Sequence, residues 1–265
     1  MKTLPVIFFG KQVQEADNYQ RIQRALTPLG EYLAVTRWGK FDPTKEICDN
    51  KVDDNGNSKL DCDDEDCKFA LACRKDVTKK LELFVMSQCP YGVKALNAMK
   101  EVLANFKGGI TVEIHFIADE EGEGFRSLHG QPEVDENIRQ LCAMKLYPKA
   151  YKFMDYILCR NQNITSSDWQ SCTGAKTGID TTKVKECFEG DVGKKLLRED
   201  IKIAQGLSVS GSPTWFANNK NRFSALDPEA IKTNLCNFNK ELKGCEVKLS
   251  GPEADASGPK AGSCN

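Results

Sequence analysis

The chain has 265 residues, 28% of them charged, with 37 basic against 38 acidic side chains and a formal net charge of −1. That balance gives no electrostatic reason to expect nucleic acid or an anionic membrane surface as partner, and no apolar run reaches the roughly 18 residues of a membrane span, so direct insertion is not expected. Twelve cysteines against only two histidines fit disulfides better than zinc, which points to an oxidising compartment: periplasmic, secreted or otherwise extracytoplasmic.

Residues 1–45 read as a strand–helix–strand segment, with strands over 5–9 and 32–38 and an amphipathic helix over 16–26. The apolar opening is short and broken by Pro5, so it reads as a strand rather than a secretory leader. The order is that of a half-repeat of the domain that follows. Residues 46–76 break the periodicity and form a Cys/Asp-rich loop module holding Cys48, Cys62, Cys67 and Cys73. Within it Asp53, Asn55, Asn57, Asp61 and Asp64 fall at positions 1, 3, 5, 9 and 12 of an EF-hand-like loop, and Lys59 offers its carbonyl at position 7. Ser58 replaces the sharp-turn glycine and Asp64 the longer glutamate. The segment resembles the short Cys/Asp calcium modules of some bacterial surface proteins, which implies structural calcium; no organic cofactor is expected.

The main domain is expected over 77–247. An apolar run over 81–86 leads into Cys89-Pro90-Tyr91-Gly92, and a helical pattern follows over 93–106. A cysteine between a strand and a helix N-terminus is in the position of a redox centre, because the unpaired N–H groups and partial positive charge there stabilise a thiolate. The arrangement is that of thioredoxin-fold centres. These usually carry a second cysteine three residues on, but Gly92 stands there. A strand over 110–117, a long helical stretch over 134–205, strands over 214–218 and 222–225 and a helix over 228–238 complete the pattern. The expected class is α/β: a thioredoxin-like fold with a helical insertion, preceded by the β-α-β segment and the loop module. In that fold Ser212-Pro213, directly before the third strand, is the site of a cis-proline loop that packs against the cysteine, with Ser212 leaving room for a substrate strand and Tyr91 lining the rim. His115 reads as structural; His129 is open to two readings, assistance in proton transfer or a turn histidine held by hydrogen bonds.

The stretch His129-Gly130-Gln131-Pro132-Glu133-Val134-Asp135-Glu136-Asn137 and Cys142 resembles the signature of the gamma-interferon-inducible lysosomal thiol reductase family. It matches at His129, Gly130, Glu133, Asn137 and Cys142 and departs at Val134, where the family has cysteine. The likeness spans about residues 80–245. It implies thiol-disulfide oxidoreductase chemistry, reductase or isomerase in type, on protein thiols and disulfides, with Cys89 as nucleophile and Pro213 in the cis loop. A membrane redox partner is a further candidate partner.

Without a local partner, the mixed disulfide formed by Cys89 must be resolved by another thiol: the substrate's own, a small thiol, a partner protein's, or a distant cysteine of this chain. One assignment of the cysteines pairs Cys159 with Cys172, Cys142 with Cys187, Cys236 with Cys245 and the four of the loop module among themselves, although sequence alone does not fix connectivity. It leaves Cys89 and Cys264. Residues 248–265 are rich in Gly, Ser, Pro and Ala and read as a flexible tail; the 19 residues from Cys245 to Cys264 span about 24 Å as a random coil. Cys264 is therefore the candidate resolving or capping thiol. The alternative is a non-catalytic thioredoxin-fold binding or carrier protein for a cysteine-containing polypeptide or redox partner.

Overall fold

The computed structural model describes residues 7–16, 19, 23, 26–35, 44–251 and 263–264. These fall into two compact units, 1–66 and 67–265. In the first, β1 (Ile7–Gly10), β2 (Leu26–Leu29) and β3 (Tyr32–Val35) form an antiparallel sheet in the order β1-β3-β2. This corrects the strand–helix–strand reading in two respects. Leu26, expected to end a helix, opens a strand, and β1 pairs β3 antiparallel, whereas a strand–helix–strand crossover in one sheet is parallel. The described strands therefore do not form a half-repeat of the domain that follows. Most of the expected helix, the end of the second strand and the tail over 252–262 lie outside the described residues.

The second unit is built on a four-stranded sheet in the order β5-β4-β8-β9. Its central strand, β4 (Lys80–Val85), runs parallel to β5 (Thr111–Phe116) and antiparallel to β8 (Thr214–Ala217), which pairs antiparallel with β9 (Asn221–Phe223). β4 is buried from Leu81 to Val85, as a strand covered on both faces must be, and its sequence is correspondingly a near-continuous apolar run. Glu82 is the exception.

Helix α1 (Pro90–Phe106) crosses from β4 to β5. Pro90 at its first position suits the helix start, where the missing N–H costs nothing. Ala95, Met99, Val102 and Phe106 form the buried stripe, and Lys107 and Gly108, both at positive φ, end it. The expected helical insert is broken into α2 (Gln131–Leu146), α3 (Met154–Arg160), α4 (Thr181–Glu189) and α5 (Asp191–Gly206). A short hairpin, β6 (Asp119–Glu121) and β7 (Gly124–Arg126), precedes it, and α6 (Pro228–Asn237) closes the unit. Disulfides Cys142–Cys187, Cys159–Cys172 and Cys236–Cys245 fasten these helices. The parallel strand–helix–strand unit, helical insertion and antiparallel strand pair with its final helix make this a thioredoxin-like fold.

Candidate active site

Cys89 is the N-cap of α1. Its Sγ accepts the Gly92 N–H at 3.4 Å, and its own N–H is held by Met86 O at 3.1 Å. The residue is fully buried in a cluster formed by Phe84, Met86, Ile117, Ala204, Val209 and Phe216, with Tyr91 packed at the edge. The loop opposite is Ser212-Pro213, whose peptide bond is cis. Ser212 O lies 3.3 Å from Cys89 Sγ, and Ser212 Oγ accepts the Met86 N–H at 2.9 Å.

Cys264 completes the site. It is disulfide-bonded to Cys89 across 175 residues, with the two Cα atoms 6.0 Å apart. Its backbone pairs with Ser212 in both directions: Ser212 N donates to Cys264 O at 2.9 Å, and Cys264 N donates to Ser212 O at 3.0 Å. Cys264 thus forms an isolated antiparallel bridge to the residue before the cis-proline. Every cysteine of the chain is disulfide-bonded in this state.

Gly92 is accounted for by the same loop. A Cβ at position 92 would lie 2.5 Å from Ser212 Oγ and 3.1 Å from Met86 O. Ser212 Oγ fills the space in which the side chain of a second cysteine would begin.

Two residues that the sequence reading left without a role position the segment before Cys89. Glu133, fully buried on α2, accepts the Gln88 N–H at 2.8 Å, Ser127 Oγ at 2.6 Å and the His129 N–H at 3.1 Å, and its Oε1 lies 2.9 Å from His129 Nδ1. Asn137, one helical turn on, accepts the Ser87 N–H at 3.1 Å. The signal was present in the sequence as matched signature residues; their contact with residues 87–88 was not. His129 serves this network.

Beneath the cluster lies an ion network, buried except at Glu113. His115 stacks on Phe84 with ring centres 4.7 Å apart, and its Nδ1 is 2.8 Å from Asp200. Its Nε2 faces Glu113 at 3.6 Å and Glu82 at 3.8 Å, too far for hydrogen bonds. Burial alone would lower the His115 pKa, but Asp200 with Glu113 and Glu82 holds it well above its ordinary value. Burial would raise Glu82, yet His115, the Arg74 guanidinium and Lys80 bring it down to about 2. Glu82, Glu113 and His115 bring ligand-type atoms within 4.8 Å of one another. The Lys80 ammonium already stands between the two glutamates, at 3.3 and 2.9 Å. With Arg74, Lys80 and His115 facing Glu82, Glu113 and Asp200, the cluster is a balanced ion network rather than a metal cage.

The residues expected to bind calcium divide. Asp64 Oδ2 accepts from Asn55 Nδ2 at 3.0 Å and Asn57 Nδ2 at 2.7 Å, so these three converge. Asp53 turns to the backbone N–H groups of Gly56, Asn57 and Ser58, and Asp61 to those of Asn50 and Lys51. The Lys59 N–H is held by Asn57 Oδ1.

Among the described residues no helix is long and apolar enough to cross a membrane. No curated protein matches the chain in sequence. Solved structures to which the chain is similar include oxidised BdbD of Bacillus subtilis, 17% identical over 62% of this chain and 87% of that one, with a TM-score of 0.45. They also include the thiol-disulfide exchange protein alpha-DsbA2 of Wolbachia pipientis, 12% identical over 63% and 84%, with a TM-score of 0.47. The oxidoreductase NmDsbA1 of N. meningitidis is 14% identical over 64% and 86%, with a TM-score of 0.45. At these identities and scores they carry nothing about activity. Two family models match directly: gamma interferon inducible lysosomal thiol reductase over residues 80–176 and the DSBA-like thioredoxin domain over residues 138–235. The unit that holds Cys89 and the Ser212-Pro213 loop is thus similar in sequence to a thiol reductase over its first part and to a DsbA-like thioredoxin domain over its second.

Proposed function

We propose that the protein is a thiol-disulfide oxidoreductase acting on polypeptide substrates outside the cytosol, with Cys89 as nucleophile and Cys264 as resolving thiol. The observation that carries this is the Cys89–Cys264 disulfide, formed while Cys264 pairs with Ser212 as a substrate strand would. In the reductive direction, Cys89 thiolate attacks a substrate disulfide, one substrate sulfur bonds to Cys89 and the other leaves as thiolate. Cys264 thiolate then attacks Cys89 Sγ, the second substrate sulfur leaves, and two electrons have passed to the substrate as Cys89–Cys264 closes. In the isomerase variant the substrate's own thiol resolves the mixed disulfide. The oxidised pair is recharged by an external dithiol, a protein or membrane redox partner. An extracytoplasmic setting is supported by the complete pairing of all twelve cysteines.

A single-turnover experiment tests the scheme. Reduced protein mixed with a disulfide-bonded peptide should release both peptide thiols and finish as Cys89–Cys264. The Cys264→Ser variant should halt at the Cys89–peptide mixed disulfide. A wild-type chain that also halts there is a carrier, not an oxidoreductase with an internal resolver.

The loop of Asp53, Asn55, Asn57, Lys59, Asp61 and Asp64 is proposed as a calcium site. Support comes from its ligand spacing and from the convergence of Asn55 and Asn57 on Asp64. Calorimetric titration with calcium should give saturable heat that Asp64→Asn weakens; no heat at millimolar calcium would end the proposal.

A further inference from the structure

A cavity of about 280 Å³ opens beside the apolar cluster that holds Cys89, between the end of α5 and the segment that follows β5. We propose that it is the subsite for an apolar side chain two residues C-terminal to the reacting cysteine of a polypeptide substrate. The inference rests on the exchange reading above and adds to it the feature by which one polypeptide is chosen over another.

Continuity with the site is the first argument. Met86, Ile117, Ala204 and Val209 line the cavity and also form the cluster around Cys89 and Cys264. Its wall is preformed, because Ser127 Oγ is tied to Glu133 Oε2 at 2.6 Å and lies 3.4 Å from Ile117 O. The charges at its mouth are already matched: Arg126 Nη2 lies 3.2 Å from Asp119 Oδ2. No charged ligand is called for. Leu128, 52% exposed, gives the mouth an uncovered apolar lip.

Register supplies the second argument. Cys264 marks the position of a bound cysteine, opposite Ser212 and antiparallel to it. A strand continuing past that cysteine sets its next residue beside Gly211 and the one after beside Ser210. Side chains alternate along a strand, so the first points away and the second returns to the side of the cysteine. Ser210 and Val209 line the cavity there. Its size falls just below the roughly 300–1,000 Å³ of small-molecule pockets and suits one branched or aromatic side chain.

The test uses the full chain in reduced form and short peptides whose single cysteine is capped as a mixed disulfide with thionitrobenzoate. Attack by Cys89 joins the peptide and releases the coloured thiolate, which gives the rate. A leucine two positions after the cysteine should react about tenfold faster than a serine there, the scale on which an apolar pocket discriminates. The same exchange two positions before the cysteine should have no effect. Ala118→Phe, which fills the cavity, and Leu128→Ser, on the exposed lip, should each collapse the leucine-to-serine ratio towards one. Equal rates for the two peptides, or a preference on the other side of the cysteine, would overturn the subsite and leave the exchange chemistry standing. Absence of thionitrobenzoate release with every peptide would remove the exchange reading and the subsite with it.

Discussion

Replacing Gly92 with alanine sets two opposing effects in one place. Removing a glycine from a helix ordinarily favours folding by about 0.5–1 kcal/mol. Here the added Cβ lies 2.5 Å from Ser212 Oγ. That oxygen is anchored by the buried Met86 N–H at 2.9 Å; displacing it orphans the donor, at a cost of about 1–3 kcal/mol. The clash should win, and Gly92→Ala should destabilise the protein by about 1–2 kcal/mol. Ser212→Ala alone should cost about as much, because it orphans the same N–H. In the double variant that donor is orphaned only once. The double should therefore be more stable than the sum of the singles by about 1–2 kcal/mol. Urea unfolding of the four proteins with disulfides intact, followed by the fluorescence of the fully buried Trp215, measures this directly. Additivity within about 0.5 kcal/mol, or a stabilising Gly92→Ala, would refute the argument that Ser212 excludes a side chain at position 92.

Two further outcomes are expected. Glu133→Gln leaves one oxygen for donors that now engage two, so it should cost about 2–3 kcal/mol and speed hydrogen exchange of the Gln88 amide; unchanged exchange there would show that Glu133 does not hold the segment. His115, raised when folded, adds stability that is fully present below its unfolded value of 6.5 and fades as pH rises through the folded value. Glu82, lowered when folded, adds stability present above 4.5 and lost as pH falls towards about 2. The difference in unfolding free energy between wild type and His115→Asn should shrink as pH rises above 6.5; a constant difference would remove the imidazolium from the account.

What could be read from the sequence was local or followed a fixed element order. The apolar run before Cys89, the proline behind it and the helical stripe of α1 are contiguous signals, and the order of strands and helices from Lys80 to Asn237 carried the fold. The Cys142–Cys187, Cys159–Cys172 and Cys236–Cys245 pairs follow the assignment that left Cys89 and Cys264 over, and the structure joins those two. What was not legible depends on contacts between distant segments. Gly92 meets Ser212, Glu133 reaches Gln88, and His115 finds Asp200. In the first unit, residues 26–29 carry Pro28 beside two leucines and a threonine, with no alternation to separate a strand from a helix end.

The most direct test is disulfide mapping of the protein prepared without reductant, by proteolysis and mass spectrometry after free thiols have been blocked. The account predicts one peptide pair joining Cys89 to Cys264 and no blocked Cys89. Cys89 found as a free thiol, or joined to any other cysteine, would contradict it.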